Sequence, residues 1–165
     1  GGVAARHWRP GHYRDLAQTL AQQGYAVVLT GSQAERDQFQ HEALDGVVLH
    51  SEVNNLMGQL AIRELMAVIA AAHVVVSGAT GPAHLAAALN VPTVSLFDPR
   101  QNNSPTRWKP LGLGMLLRPD VPTCDKCIGE ACPYWDCLDR FTVQDVVARL
   151  GAVVRSAQPL TIHHI

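Results

Sequence analysis

A chain of 165 residues is long enough for one domain with a substantial core. Its net charge of −1 speaks against nucleic acid or an acidic membrane surface as the partner. Hydrophobic residues make up 47% and charged ones only 16%, yet no apolar run is long enough to span a bilayer and no stretch reads as a signal peptide. The chain opens on Gly1-Gly2 without an initiator Met, so we expect a piece of a longer protein, with a single domain over residues 1–165. All four cysteines fall between Cys124 and Cys137, inside a Cys-rich loop over 120–140, which is a local feature and no secretory disulfide framework.

In chain order, residues 1–11 read as a loop holding Arg6, His7, Trp8 and Arg9. Tyr13, Leu16, Ala17, Leu20 and Ala21 recur at helical spacing, and Gly24 ends that helix. A buried strand is predicted over 25–30, then a helix over 34–43 with Glu35 in its first turn. A third apolar run, 47–49, reads as a strand, 51–59 as a polar loop, and Ile62, Leu65, Met66 and Ile69 as one face of a further helix. Val74-Val75-Val76 is the mark of a strand buried on both faces. It runs into the small-residue loop Ser77-Gly78-Ala79-Thr80-Gly81, a helix with Pro82 in its first turn, Asn90 as a left-handed cap, and a strand over 91–97. A Pro-rich loop over 98–110, a strand over 114–117 and the Cys-rich loop follow. Thr142 and Asp145 form a capping-box variant ahead of Val143, Val146, Val147 and Leu150, and 151–165 is a weakly patterned tail. Helices alternating with apolar strands give an α/β class with a doubly wound, mostly parallel sheet. The alternation opens on a helix, so a first strand ought already to have ended before residue 1.

A tight loop opening into a helix behind a buried strand offers free N–H groups and the positive end of a helix dipole to an anion, most often phosphate. The 77–81 loop is neither a dinucleotide fingerprint nor a Walker A motif, and a plain packing turn is the competing reading. His84, one turn into that helix, suits either a ligand or a structural brace. Glu35 would be stabilised by the helix dipole whatever else it did. Cys124-x-x-Cys127 with Cys132 and Cys137 suggests tetrahedral zinc, an iron–sulfur ligand set, a disulfide, or buried thiols closing a loop. Trp108 and Trp135 lie in the two long loops, as a lid, a partner surface or simple anchors.

The stretch SGATGPAHLAAALNVPTVSLFDP, residues 77–99, resembles the donor-site segment of the bacterial heptosyltransferases, glycosyltransferase family 9. RHWRPGHYRDLAQTLAQQGYAVVLTGSQAER resembles the entry into that family's second domain, IRELMAVIAAAHVVVS the helix before its donor loop, and the Cys-rich stretch with the Val-rich helix after it the C-terminal part of many members. The resemblance implies the C-terminal, Rossmann-like half of a GT-B enzyme that transfers heptose from ADP-heptose to a lipopolysaccharide core acceptor with inversion. It implies that Thr80 and Gly81 hold the diphosphate, that His84 is the family histidine, that Arg6 neutralises phosphate charge, that Glu35 accepts from the ribose hydroxyls and that Leu60 packs on the adenine. No catalytic residue falls within this chain on that reading. The base and the acceptor belong to an absent N-terminal domain, and the whole enzyme is cytoplasmic, peripheral to the inner face of the inner membrane.

Many members carry Asp just before the Thr, where it contacts the sugar; here that position is Ala79, which leaves the sugar open. No cofactor is expected beyond the ADP-sugar substrate, with zinc on the four cysteines as the alternative. Two rivals are another GT-B nucleotide-sugar enzyme, such as an epimerase or a different hexosyltransferase, and a non-catalytic metal-binding module built on the cysteines.

Overall fold

Residues 7–156 are described by the structure, a computed structural model. The first helix, α1 (Pro10–Gln22), has proline at its start, where a missing N–H costs nothing. Trp8, just before it, is almost fully buried, stacks edge-on against Tyr13, and donates from Nε1 to the Phe141 carbonyl at 2.9 Å. That bond ties the beginning of the described chain to the turn before its last helix.

Five strands follow in parallel pairings. β1 (Val27–Leu29) and β2 (Val53–Asn55) form one sheet, with Val27 opposite Val53. β3 (Val75–Gly78), β4 (Thr93–Leu96) and β5 (Gly114–Leu117) form the other, with β4 in the middle. The helices between them are α2 (Gln33–Ala43), α3 (Ile62–Ala71), α4 (Gly81–Ala88) and the single turn α5 (Pro105–Trp108); α6 (Val143–Ser156) closes the described chain. This is the α/β class with parallel strands that the alternation predicts, its strands divided between a two-stranded and a three-stranded sheet. No helix among the described residues is long and apolar enough to cross a membrane.

Helices cover both faces of the larger sheet. On one side Leu16, Val94, Leu96 and Leu117 pack with Val146, Leu150 and Val153 of α6. On the other, Ile69 of α3 and Ala86 of α4 pack with Val91 and Val75. β4 is therefore buried at every residue. The smaller sheet has its own cluster, in which Ala17 and Ala21 of α1 meet Leu29, Phe39, Ala43, Val53 and Met57. Tyr13 packs against both the α6 cluster and this one.

Three expectations need correction. The apolar run at 47–49 is no strand; Gln18 of α1 takes the backbone there, donating to the Val48 carbonyl at 3.1 Å and accepting from the His50 N–H at 2.7 Å. The second strand instead forms within the expected polar loop, because an edge strand with only Val53 buried tolerates Asn54 and Asn55. The helix begun by the Thr142–Asp145 capping box, present as expected, continues through Gly151 to Ser156, since Val153 falls on the same buried stripe as Val146 and Leu150. Residues 157–165 lie outside the described part.

The end of β4 is stitched to the loop that follows β5. Asp98, buried, accepts from Arg100 Nε at 2.9 Å and Nη2 at 2.7 Å, and from Asn103 Nδ2 at 2.9 Å. The Gln101 N–H donates to the Cys124 carbonyl and the Cys124 N–H to the Pro99 carbonyl. Burial pushes the Asp98 carboxyl up, but its hydrogen bonds to Arg100, the guanidinium charge and Asn103 outweigh that and hold it below its ordinary value of 3.8.

Two predictions follow from this packing. Gly114 has φ +144, and a Cβ there would run into the Thr93 backbone, whereas one at Gly24, with φ +87, meets nothing. Gly114→Ala should therefore lower stability by at least about 3 kcal/mol and Gly24→Ala by about 1 kcal/mol, read from urea midpoints. Because the folded carboxyl of Asp98 is depressed, its stabilisation is present above the unfolded value and is lost as pH falls through the folded one. Asp98→Asn should cost about 2 kcal/mol at neutral pH and flatten the loss of urea midpoint between about pH 5 and pH 3.

Candidate functional site

The chemistry-bearing turns lie at the carboxyl ends of the strands, where open parallel sheets bind their ligands. After β3 the chain makes a close turn. Ala79 N–H reaches the Leu96 carbonyl of the neighbouring strand at 3.1 Å, Thr80 N–H returns to the Gly78 carbonyl at 2.8 Å, and Ala83 N–H bonds the Thr80 carbonyl at 3.1 Å. Thr80 is the N-cap residue of α4, in extended conformation, but its hydroxyl does not cap the helix; it lies 3.0 Å from the Ser77 hydroxyl. Thr80, Gly81 and His84 are all exposed. A Cβ built on Gly81 would have nothing within 4 Å. Pro82 has no N–H and the Ala83 N–H is taken, so in this first turn the Gly81 N–H and the helix dipole are what face solvent over small side chains, which suits an anion.

The second group sits on the smaller sheet. Ser32 and Glu35 form a capping box at the start of α2. Glu35 Oε2 accepts from the Ser32 N–H at 2.7 Å and hydroxyl at 2.8 Å, and the Glu35 N–H donates to Ser32 Oγ. Both Ser32 bonds land on Oε2, so Oε1 takes neither. A Cβ on Gly31 would lie 3.2 Å from that carboxylate, a tight contact that the Glu35 side chain would have to ease by a few tenths of an ångström. The loop after β2 is held against this turn by Gly58 N–H on the Gly31 carbonyl at 2.8 Å, and the half-buried Leu60 follows it. Burial, and secondarily the Glu35 charge, pushes the Tyr13 phenol up to about 12.

The structure therefore brings Glu35 and Leu60 onto adjoining loops of one sheet, and Thr80, Gly81 and His84 onto one turn of the other. Arg6 lies outside the described residues. Arg9, the other arginine of that loop, is committed elsewhere: it ion-pairs with Asp139 and stacks over the Trp135 ring at 5.3 Å. Asp98 was missed as a site neighbour by sequence reasoning, although Asp-Pro directly after an apolar strand was a legible signal for a polar residue at a strand's carboxyl end. The four cysteines, grouped in sequence, line a single cavity of about 250 Å³ together with Asp98 and Arg100. None forms a disulfide, and burial pushes the Cys137 thiol up to about 11.

Comparison with known proteins gives the family. The model of glycosyltransferase family 9 (heptosyltransferase) matches residues 2–130. Lipopolysaccharide heptosyltransferase 1 of Pseudomonas aeruginosa is 34% identical, over 94% of this chain and 46% of its own. Lipopolysaccharide heptosyltransferase 2 of Escherichia coli is 36% identical over 65% of this chain and 30% of its own. Among solved structures, E. coli ADP-heptose lipopolysaccharide heptosyltransferase II superposes with a TM-score of 0.73 at 30% identity, covering 92% of this chain and 43% of the other. The chain spans less than half the length of these relatives. With most of its length matched and both groups of candidate residues inside the match, the chain belongs to glycosyltransferase family 9, the heptosyltransferases.

Proposed function

We propose that the chain is the donor-binding domain of an inverting glycosyltransferase that moves heptose from ADP-heptose to a lipopolysaccharide core acceptor. The observation that carries this reading is the exposed Thr80-Gly81 turn at the N-terminus of α4, at the carboxyl end of a sheet strand. On this reading the turn cradles the diphosphate, with Arg6 and His84 beside it, while Glu35 accepts from the ribose hydroxyls and Leu60 packs on the adenine. Relatives whose names specify ADP-heptose or lipopolysaccharide support the donor and acceptor classes.

The chemistry follows from which bond breaks. As the acceptor hydroxyl attacks the anomeric carbon, the bond to ADP breaks and negative charge grows on the diphosphate. On this reading the Gly81 N–H and the α4 dipole stabilise that charge more in the transition state than in the ground state. The base that takes the hydroxyl proton belongs to a second, acceptor-binding domain facing this one, which works at the inner face of the bacterial inner membrane. Ala79 offers the sugar no side-chain hydrogen bond, so sugar selection falls to neighbouring groups.

Isothermal titration of this chain should show ADP binding but no ADP release from ADP-heptose with acceptor present. No ADP binding at millimolar concentration by a folded sample would sink the reading. Glu35 also caps α2, so Glu35→Gln, which keeps a capping acceptor, is the informative variant. It should weaken ADP by about 10-fold, near 1.4 kcal/mol, and leave inorganic pyrophosphate unchanged. Equal losses on both ligands would rule out the ribose contact.

A further inference from the structure

Between β5 and α6 the chain runs from 118 to 142 with no strand or helix beyond the short turn Gly129–Ala131. Within it only Pro119, Cys137 and Leu138 are buried. A stretch of that length in a compact domain needs something to hold it, and here the apolar contacts are few. What the stretch does have is thiols. Cys124, Cys127, Cys132 and Cys137 all border the one cavity of about 250 Å³, which also meets the Asp98–Arg100 pair. Cys124 is fixed to that pair by its bridge to Arg100. The Tyr134 N–H donates to Cys132 Sγ at 3.4 Å, which holds that sulfur in place. The family match ends at residue 130, so Cys132 and Cys137 stand outside it, and the proposed donor site uses none of the four.

We propose that these four cysteines are the ligand set for one soft divalent cation, zinc above all, which staples the 118–142 loop to the end of β4. Four sulfur donors, two of them at Cys-x-x-Cys spacing, match the preference of zinc for tetrahedral thiolate sites. Among the described residues no three His, Cys, Asp or Glu side chains are gathered closely enough to hold an ion as they stand. The sulfurs border the cavity, and binding draws them in to a Zn–S distance of about 2.3 Å. The loop can follow because so little of it is buried. Each coordinating thiol gives its proton to solvent, so uptake releases protons. Lys126 at the cavity wall offsets part of the doubly negative tetrathiolate that results; the Arg100 charge is already matched by Asp98.

The test is a titration of the reduced, metal-stripped chain under anaerobic conditions, first with cobalt(II), then with zinc. The expected result is one ion per chain, a tetrahedral cobalt spectrum with strong sulfur-to-metal charge transfer, and its loss on adding zinc. Zinc should also protect all four thiols from a thiol reagent until a chelator is added. Cys124→Ser and Cys137→Ser should each weaken zinc at least about 10-fold. Three results would overturn the proposal: no stoichiometric uptake by a chain shown folded by circular dichroism, a six-coordinate cobalt spectrum without charge transfer, or thiols released by reductant and not by chelator, which would mean disulfides.

Discussion

The fold rests on the two-sided packing of α1. Its leucines, Leu16 and Leu20, face the larger sheet and α6, its alanines, Ala17 and Ala21, face the smaller sheet, and Tyr13 between them touches both cores. Small side chains on one face let the helix approach β1 and β2 closely; large ones on the other fill the deeper space over β4 and β5. Trp8 then locks the start of this helix to the turn before α6. The strand pairings, the strand-end loops and the two groups of site residues all hang from this arrangement.

Much of it was legible from the chain. The β3–α4–β4 unit could be read almost residue by residue, because a β-branched run, a small-residue turn, a proline in the first helical turn and Asn90 each act locally; Asn90 does take the left-handed conformation, φ 57. The capping boxes at Ser32–Glu35 and Thr142–Asp145 are local in the same way. The 47–55 region was misread because its outcome is decided elsewhere. Gln18, thirty residues or so upstream, claims the backbone that an apolar run would otherwise bring to a sheet. No local pattern contains that information.

The site shows the same division. The residue types and their turns came from sequence, and their grouping came from the fold. Capping uses Oε2 of Glu35, so on the proposed assignment the acid that starts α2 need not release its helix to meet a ribose. Thr80 is the reverse case. Its position calls for a helix cap, yet its hydroxyl turns back to Ser77, and with Pro82 lacking an N–H and the Ala83 N–H on the Thr80 carbonyl it is the Gly81 N–H that is left to be satisfied from outside. An N-cap residue that does not cap is a local inconsistency of the kind expected where a ligand completes the structure.

The seam under α1 bears on affinity. On the proposed assignment the ribose acid rides on one sheet and the phosphate turn on the other, so the nucleotide is a bivalent ligand. Its second contact forms at an effective concentration fixed by how firmly α1 holds the two sheets in register. Tightness is then partly a property of a helix that never meets the ligand. Enlarging Ala17, buried against the smaller sheet, would change the spacing of the two half-sites, and the cost would fall on ADP while adenosine and pyrophosphate, each read by one sheet alone, kept their affinities.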